Sequence, residues 1–356
     1  MQRIIQKLID TRNLSDDELR ELLSKNDYDE ELFTSADIIR KKIYGSAVYI
    51  RGLIELTNHC KNGCYYCGIS SSNKSLNRYR LTKEDILGCC KEGYDLGFRT
   101  FVMQGGEDPY YTDDLMCDIV HTIRIKYPDC AITLSIGEKE RESYQRLFDA
   151  GANRYLLRHE TADNELYTRL HPEYMSLENR KRCLFDLKDI GFQVGTGFMV
   201  GAPYQTVDNI ISDIRFMQTL EPDMIGIGPF VPHHETAFAL FPSGSVELTL
   251  RLIALFRHLF PYALIPATTA LGTLAENGRE RGFKAGANVV MPNLSPLKVR
   301  KLYDLYDNKV SSGSESAQCL DDLKKRAKSA GYNVVCDIGN VKKERAASPI
   351  SHPDSM

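Results

Sequence analysis

Three cysteines fall within eight residues, Cys60-Lys-Asn-Gly-Cys64-Tyr-Tyr-Cys67, spaced Cys-x3-Cys-x2-Cys. Three thiolates on one short loop can wrap one face of an iron–sulfur cube, because cluster iron is held by thiolates. A cube with three protein ligands leaves its fourth iron with an open coordination position. The competing reading is a tetrahedral zinc completed by His59 or a distant ligand. Zinc sites usually pair two Cys-x2-Cys knuckles, however, and the sequence holds no second one. The other seven cysteines (Cys89, Cys90, Cys117, Cys130, Cys183, Cys319 and Cys336) are scattered and read as small hydrophobes. They are too sparse for a disulfide scaffold.

A loop of this kind needs a rigid element on either side. After a helical stretch over about residues 2–45, short β-rich runs alternate with longer helical segments. The runs are Val48–Leu56, Thr100–Gln104, Ala131–Ile136, Arg154–Arg158, Gln193–Val200, Met224–Gly228, Leu264–Thr268 and Asn288–Met291. Alternation of this sort means parallel strands with crossover helices. Gly97, Gly151, Gly191 and Gly286 each stand just before a run, where a left-handed residue ends a helix. Thr82, Ser176 and Thr206 precede helical periodicity as N-caps do. Eight such units predict an α/β fold, a complete (β/α)8 TIM-type barrel over residues 46–310. An N-terminal helical extension (1–45) precedes it, and a C-terminal segment (311–356) with a short helix near Leu320–Ala330 follows. The polar link at 311–316 and the tail with Pro349 and Pro353 read as flexible.

In a barrel, chemistry gathers just past the C-terminal ends of the strands. The cysteine loop follows the first run. Gly105-Gly106-Glu107 follows the second, Ser135 ends the third, and Arg158 and Glu160 end the fourth, with Arg180 early in the next helix. An arginine can clamp a carboxylate and a glutamate can accept from a diol. Without the cysteine loop, these would read as an ordinary salt-bridged rim.

On the full Cys-x3-Cys-x-aromatic-Cys signature, with Tyr66 as the aromatic, the chain resembles the radical S-adenosylmethionine (SAM) superfamily. The resemblance implies one 4Fe–4S cluster on Cys60, Cys64 and Cys67, with SAM chelated to the open iron. It implies reductive cleavage of SAM to a 5′-deoxyadenosyl radical. Tyr66 would pack near the adenine, Gly105, Gly106 and Glu107 would hold the SAM amino group, and Ser135, Arg158, Glu160 and Arg180 would complete the pocket. Gly195-x-Gly197 resembles the glycine motif near the adenine.

Over about residues 10–310 the segments Asn77–Thr82, Gly106–Tyr111, Arg154–Thr161, Ile225–Phe230, Ile265–Ala270 and Gly286–Asn293 resemble the HydE family of FeFe-hydrogenase maturases. Biotin synthase and methylornithine synthase share the barrel. The resemblance implies assembly of the diiron subcluster of the hydrogenase H-cluster from an organometallic iron–cysteine synthon. Arg158, Thr268, Thr269, Met291 and Tyr303 would line the substrate cavity. Its partners would be that synthon or an amino-acid-derived substrate, an electron donor such as ferredoxin or flavodoxin, and other hydrogenase maturases. Many relatives carry three further C-terminal cysteines for an accessory cluster. This chain offers Cys319 and, seventeen residues on, Cys336, which predicts a single cluster. Two other readings stay open: a radical SAM mutase or synthase of a small amino acid, and a non-catalytic iron–sulfur scaffold, which would have no need of a SAM pocket.

Composition (42% hydrophobic, 26% charged, net charge −3) is that of a globular protein with no broad attraction to nucleic acid or anionic membranes. No run is long enough to span a bilayer, and the N-terminus lacks a signal-peptide core, so the expected compartment is the cytoplasm.

Overall fold

The computed structural model describes residues 3–309 and 316–342; the tail with Pro349 and Pro353, and Ser311 to Glu315 of the polar link, lie outside them. Seven of the eight apolar runs become strands. The first stave bends at Arg51 into β1 (Ala47–Ile50) and β2 (Gly52–Thr57). It is followed by β3 (Thr100–Gly105), β4 (Ala131–Ser135), β5 (Arg154–Leu156) and β6 (Gln193–Thr196). Then come β7 (Met199–Val200), β8 (Met224–Ile225), β9 (Gly228–Pro229), β10 (Val289–Val290) and β11 (Asn333–Val335). β2, β3, β4, β5, β6 and β8 form one parallel sheet in that order, while β7 and β9 pair nearer the mouth.

The barrel closes through single bridges rather than a full ladder. Met224 pairs with Leu264, Pro266 with Val289, and Leu53 with Asn293, while β10 runs parallel to β1. Leu264–Thr268 is therefore a stave without a regular strand. Pro266 in its middle has no N–H to donate, which limits the ladder there. The helix punctuation follows the sequence. Gly97, Gly151, Gly191 and Gly286 all have positive φ, and Thr82, Ser176 and Thr206 accept hydrogen bonds from the N–H three residues on.

Three helices (Arg3–Thr11, Asp16–Ser24 and Asp29–Tyr44) precede β1. The third packs on the barrel helix Val246–Leu259, tied by a two-pronged Arg251–Asp29 pair at 2.6 and 2.9 Å. After the helix Leu320–Ser329, β11 joins β1 in parallel, with Ala47 opposite Asn333. The chain then turns under the N-terminal end of the barrel. There Arg154, wholly buried, donates to the carbonyls of Ile338 (2.9 Å) and Gly339 (3.2 Å) and to Asn340 Oδ1 (2.7 Å). The sequence shows β11 as a strand-like run but not this closure. Among the described residues no helix is long and apolar enough to cross a membrane.

Candidate active site

The cysteine loop leaves β2 and is fixed by hydrogen bonds to four other segments. Lys61 N–H donates to the Glu107 carbonyl (2.9 Å), Gly63 N–H to the Tyr174 hydroxyl (2.8 Å), Tyr65 N–H to the Leu170 carbonyl (3.1 Å) and Gly68 N–H to the Leu305 carbonyl (2.9 Å). The Arg78 guanidinium gathers the carbonyls of Asn58, Ile69, Ser70 and Asn73. Gly106 is needed for the same assembly. A Cβ there would lie 2.2 Å from the His59 oxygen and 2.7 Å from Cys60 Cβ, so the glycine admits the cysteine loop itself.

Burial pushes all three thiols up, Cys67 to about 12, and Cys64 and Cys67 are raised further by the neighbouring thiols. Loading a metal there must displace protons, as ligation by thiolates requires. Among the described residues, the set of three potential ligands with donor atoms within 4.8 Å of one another is His233, His234 and Asp307. Three free thiols on one short loop are a donor set for a cluster face.

His233, His234 and Asp307 do not make a convincing metal site. Glu235 N–H donates to His233 Nδ1 (3.1 Å), so the proton sits on Nε2, which faces Asp304 at 3.3 Å. The lone pair a metal would need is already engaged.

Gly105 ends β3, and it lines a cleft of about 310 Å³ with the following Gly106 and Glu107 and with Lys61, Glu138 and Lys139. Glu107 accepts from the Glu138 N–H at 3.1 Å and pairs with Lys61 at 3.3 Å. Gly137, at φ +86°, has Glu107 Cγ only 1.9 Å from where a Cβ would stand. Ser135 ends β4 beside Gln104. Past β5, Arg158 Nη2 lies 3.2 Å from Glu160 Oε2, yet Arg158 Nε and Nη2 and Glu160 Oε2 are buried without hydrogen-bond partners. Glu160 also holds a left-handed φ of +65°. Groups of this kind normally find hydrogen-bond partners, and Glu160 lies within electrostatic reach of Tyr66 and Cys67. Arg180 is buried behind them, its Nε on Glu138 and its Nη1 on the Arg158 carbonyl (2.9 Å). It therefore braces the end of the fourth stave.

Tyr66 donates its hydroxyl to His171 Nε2 at 3.1 Å. His171 Nδ1 bonds the Tyr167 carbonyl at 3.0 Å, so that nitrogen carries the proton and Nε2 accepts. Burial, and then Arg180, depress the His171 pKa to about 3. The imidazole is also stacked on the Tyr167 ring at 4.1 Å.

The residues expected for the substrate are distributed through the barrel. Tyr303 is buried, its hydroxyl accepts from Gln104 Nε2 (3.2 Å), and it feels Cys60 and Cys67. It belongs to a strap, residues 301–309, pinned across the mouth by Lys309–Glu55 (2.5 Å), Asn58 Nδ2 to the Leu302 carbonyl (2.8 Å) and Asp307 N–H to the Pro232 carbonyl (3.0 Å). Thr268 caps the helix Thr269–Leu274; its Oγ1 is buried without a partner and lies against Gly228. Met291 packs lower, against the cluster of Tyr44, Tyr49, Met224, Leu264 and Val289. The two remaining C-terminal thiols are set apart: Cys336 lies against Gly97 near the barrel floor, and Cys319 precedes the helix Leu320–Ser329. His171, Glu138 and the strap were not singled out from sequence. Glu138 alone left a sign, as the acid closing the third strand end.

A barrel whose mouth carries three cluster-type thiols beside the Arg158–Glu160 ion pair defines a radical SAM enzyme, and residues 54–217 match the model of the radical SAM superfamily. Such an enzyme uses a 4Fe–4S cluster and SAM, and the donor set above fits both. The chain is 44% identical to the FeFe-hydrogenase maturase subunit HydE of Thermotoga maritima, over 96% of this chain and 97% of that one. It therefore belongs to the HydE family. It is also 31% identical to 3-methylornithine synthase of Methanosarcina acetivorans over 85% of this chain and 87% of that one. The crystal structure of methylornithine synthase (PylB) superposes with a TM-score of 0.83 at 29% identity, covering 93% of this chain and 97% of that one.

Proposed function

We propose that the protein is a maturase of FeFe-hydrogenase, converting an organometallic iron–cysteine synthon on the way to the diiron subcluster of the H-cluster. Identity to HydE across nearly the whole chain is the observation that carries this reading. When bound, the cluster supplies the electron and the open iron for cleaving SAM to a 5′-deoxyadenosyl radical.

Every other role belongs to this chain. Cys60, Cys64 and Cys67 hold the cluster. Glu107, kept in place by Gly137, Glu138 N–H and Lys61, receives the SAM ammonium. Arg158 and Glu160, an ion pair whose buried donors and acceptor make no hydrogen bond, take the carboxylate and the ribose hydroxyls, and Arg180 braces them. Tyr66, held by His171, walls the adenine side. Inside the barrel, Thr268 Oγ1, Thr269 and Tyr303 offer hydroxyls to a cysteine carboxylate or a cyanide, and Met291 gives an apolar wall. The substrate arrives from another maturase, and a one-electron donor supplies the reductant.

Two assays test this. Anaerobically reconstituted protein should convert SAM to 5′-deoxyadenosine under dithionite. Added to a maturation mixture lacking only this component, it should restore hydrogen evolution by apo-hydrogenase. Deoxyadenosine formation with no restored hydrogenase, together with conversion of lysine, would replace the maturase reading by the methylornithine-synthase one.

A further inference from the structure

The fourth stave ends in three residues whose side chains alternate in direction. Arg158 and Glu160 meet on the chamber side, while His159 between them is wholly buried against the helix Val207–Leu220. Its ring lies edge-on to Phe198 at 5.8 Å and to Phe216 at 5.0 Å. Nδ1 stands 2.8 Å from the Thr196 hydroxyl, and Nε2 faces Asp213 Oδ1 at 3.3 Å. Asp213 is the one charged residue on the buried face of that helix, among Ile210, Ile211, Ile214, Met217 and Leu220, and it is itself wholly buried. A carboxylate in such surroundings is costly and is expected to hold something in place.

What it holds is the backbone around Glu160. This residue has a left-handed φ of +65°, which a side chain of its kind keeps only where the surroundings over-determine it. On one flank the His159 ring reaches Asp213. On the other, the Ala162 N–H donates to Asp213 Oδ1 at 2.5 Å. Burial raises the Asp213 pKa, and His159, the Ala162 N–H and the Thr161 hydroxyl act against that rise. One carboxylate on a helix therefore grips the chain on both sides of the strained residue. Arg158 is held separately, by Arg180 on its carbonyl at 2.9 Å.

We propose that His159 and Asp213 are positioning residues for SAM, keeping Glu160 in its left-handed conformation so that its carboxylate meets the ribose hydroxyls. The inference rests on the radical SAM reading and on the ribose role given to Glu160. Without the grip, the backbone at 160 relaxes to an ordinary negative φ and the carboxylate swings away from the ribose. Arg158 and the cluster thiols, fixed by other contacts, stay where they are.

The test uses reconstituted holoenzyme and two amide substitutions. His159→Gln can set its amide nitrogen where Nε2 stands and keep the reach to Asp213. His159→Asn extends only as far as Nδ1 and keeps Thr196 alone. With His159→Asn, KM for SAM should rise about tenfold and kcat stay within about threefold, since a ribose contact is made equally before and during cleavage. His159→Gln should bring KM back to within about threefold of wild type. 5′-Deoxyadenosine, which carries the ribose, should bind His159→Asn about tenfold more weakly, whereas methionine, which lacks it, should bind as to wild type. Asp213→Asn keeps the side chain's shape and one acceptor, and should give the same contrast at about threefold; it carries the test should His159→Asn not fold. Equal losses for deoxyadenosine and methionine, an unchanged KM for SAM in the folded variants, or no rescue by His159→Gln would overturn the proposal. Wild-type holoenzyme that binds neither SAM nor 5′-deoxyadenosine would instead overturn the radical SAM reading.

Discussion

The hydrogen bond between Tyr66 and His171 should couple the adenine wall to the helix behind it, and the coupling can be measured. Tyr66→Phe removes the hydroxyl and strands His171 Nε2. The imidazole is 1% exposed, its other nitrogen is committed to the Tyr167 carbonyl, and protonation is opposed by a pKa depressed to about 3. Water cannot reach the stranded nitrogen, and a proton on it would find no acceptor. A buried acceptor left in that state costs ~1–3 kcal/mol. His171→Phe strands the opposite partner, the Tyr66 hydroxyl, while the Tyr167 carbonyl keeps the backbone N–H of residue 171 at 3.0 Å. The double variant removes both ends of the bond at once.

The expected result is that each single change weakens SAM binding or lowers the unfolding free energy by about 1–2 kcal/mol. The double change should cost less than the sum, with a coupling of about 1 kcal/mol or more. SAM titration of reconstituted protein and urea unfolding of the same four proteins give the two cycles, and iron content serves as the control for cluster loading. If the single effects add to within ~0.3 kcal/mol in both, His171 does not act through Tyr66 and the tautomer argument is wrong.

Three further outcomes are expected. His171 and His258 have pKa values lowered by burial to about 3 and about 4, so the unfolded chain binds protons that the folded chain refuses below the ordinary histidine value. Their stability contribution is present above pH 6.5 and is lost as the pH falls towards those folded values. Going from pH 8 to pH 5.5 should cost roughly 1.4 kcal/mol per histidine, visible as a falling urea midpoint that flattens when both are replaced by phenylalanine. Gly137→Ala must displace Glu107, because its Cβ would lie 1.9 Å from Glu107 Cγ at a φ of +86°. SAM affinity should fall at least about tenfold while iron content is kept, and unchanged affinity would remove Glu107 from the SAM pocket. Thr269→Val should leave 5′-deoxyadenosine formation intact and reduce synthon turnover in the maturation assay, whereas unchanged turnover would take Thr269 out of the substrate site.

What could be read in the sequence was what local spacing controls. The thiol loop needs only eight residues to declare itself, and the staves show through burial on both faces of a parallel sheet. The helix ends show because Gly97, Gly151, Gly191 and Gly286 answer a backbone requirement inside their own turn. The seventh stave was found by composition, but its poor ladder was not, because Pro266 acts on a partner strand that the local pattern does not reveal. Contacts across long separations left no signal. His171 is one of eight histidines until it meets Tyr66, 105 residues away. Lys309 looks like any polar-loop lysine until it reaches Glu55 across 254 residues. Residues 338–340 carry no periodicity, and their role comes from distant partners, the buried Arg154 with Thr100 and Gln193.

These long-range contacts have a common consequence for the chemistry. Arg154 holds residues 338–340 under the barrel, and Lys309 holds the strap over its mouth by a pair in which Glu55 is wholly buried and Lys309 nearly so. Burying that pair has a desolvation cost, so its use here is better explained by position than by stability. The ammonium also donates to the Tyr303 carbonyl (2.8 Å) and sits 4.6 Å from the centre of the Tyr303 ring, fixing the tyrosine beside Cys60 and Cys67. A carbon radical abstracts from whatever it first meets, so its enzyme must exclude solvent and fix the target before the radical forms. In this fold the exclusion is done at both ends by segments from beyond the eighth stave. The barrel staves supply the ligands, and the chain after them encloses the chamber in which those ligands act.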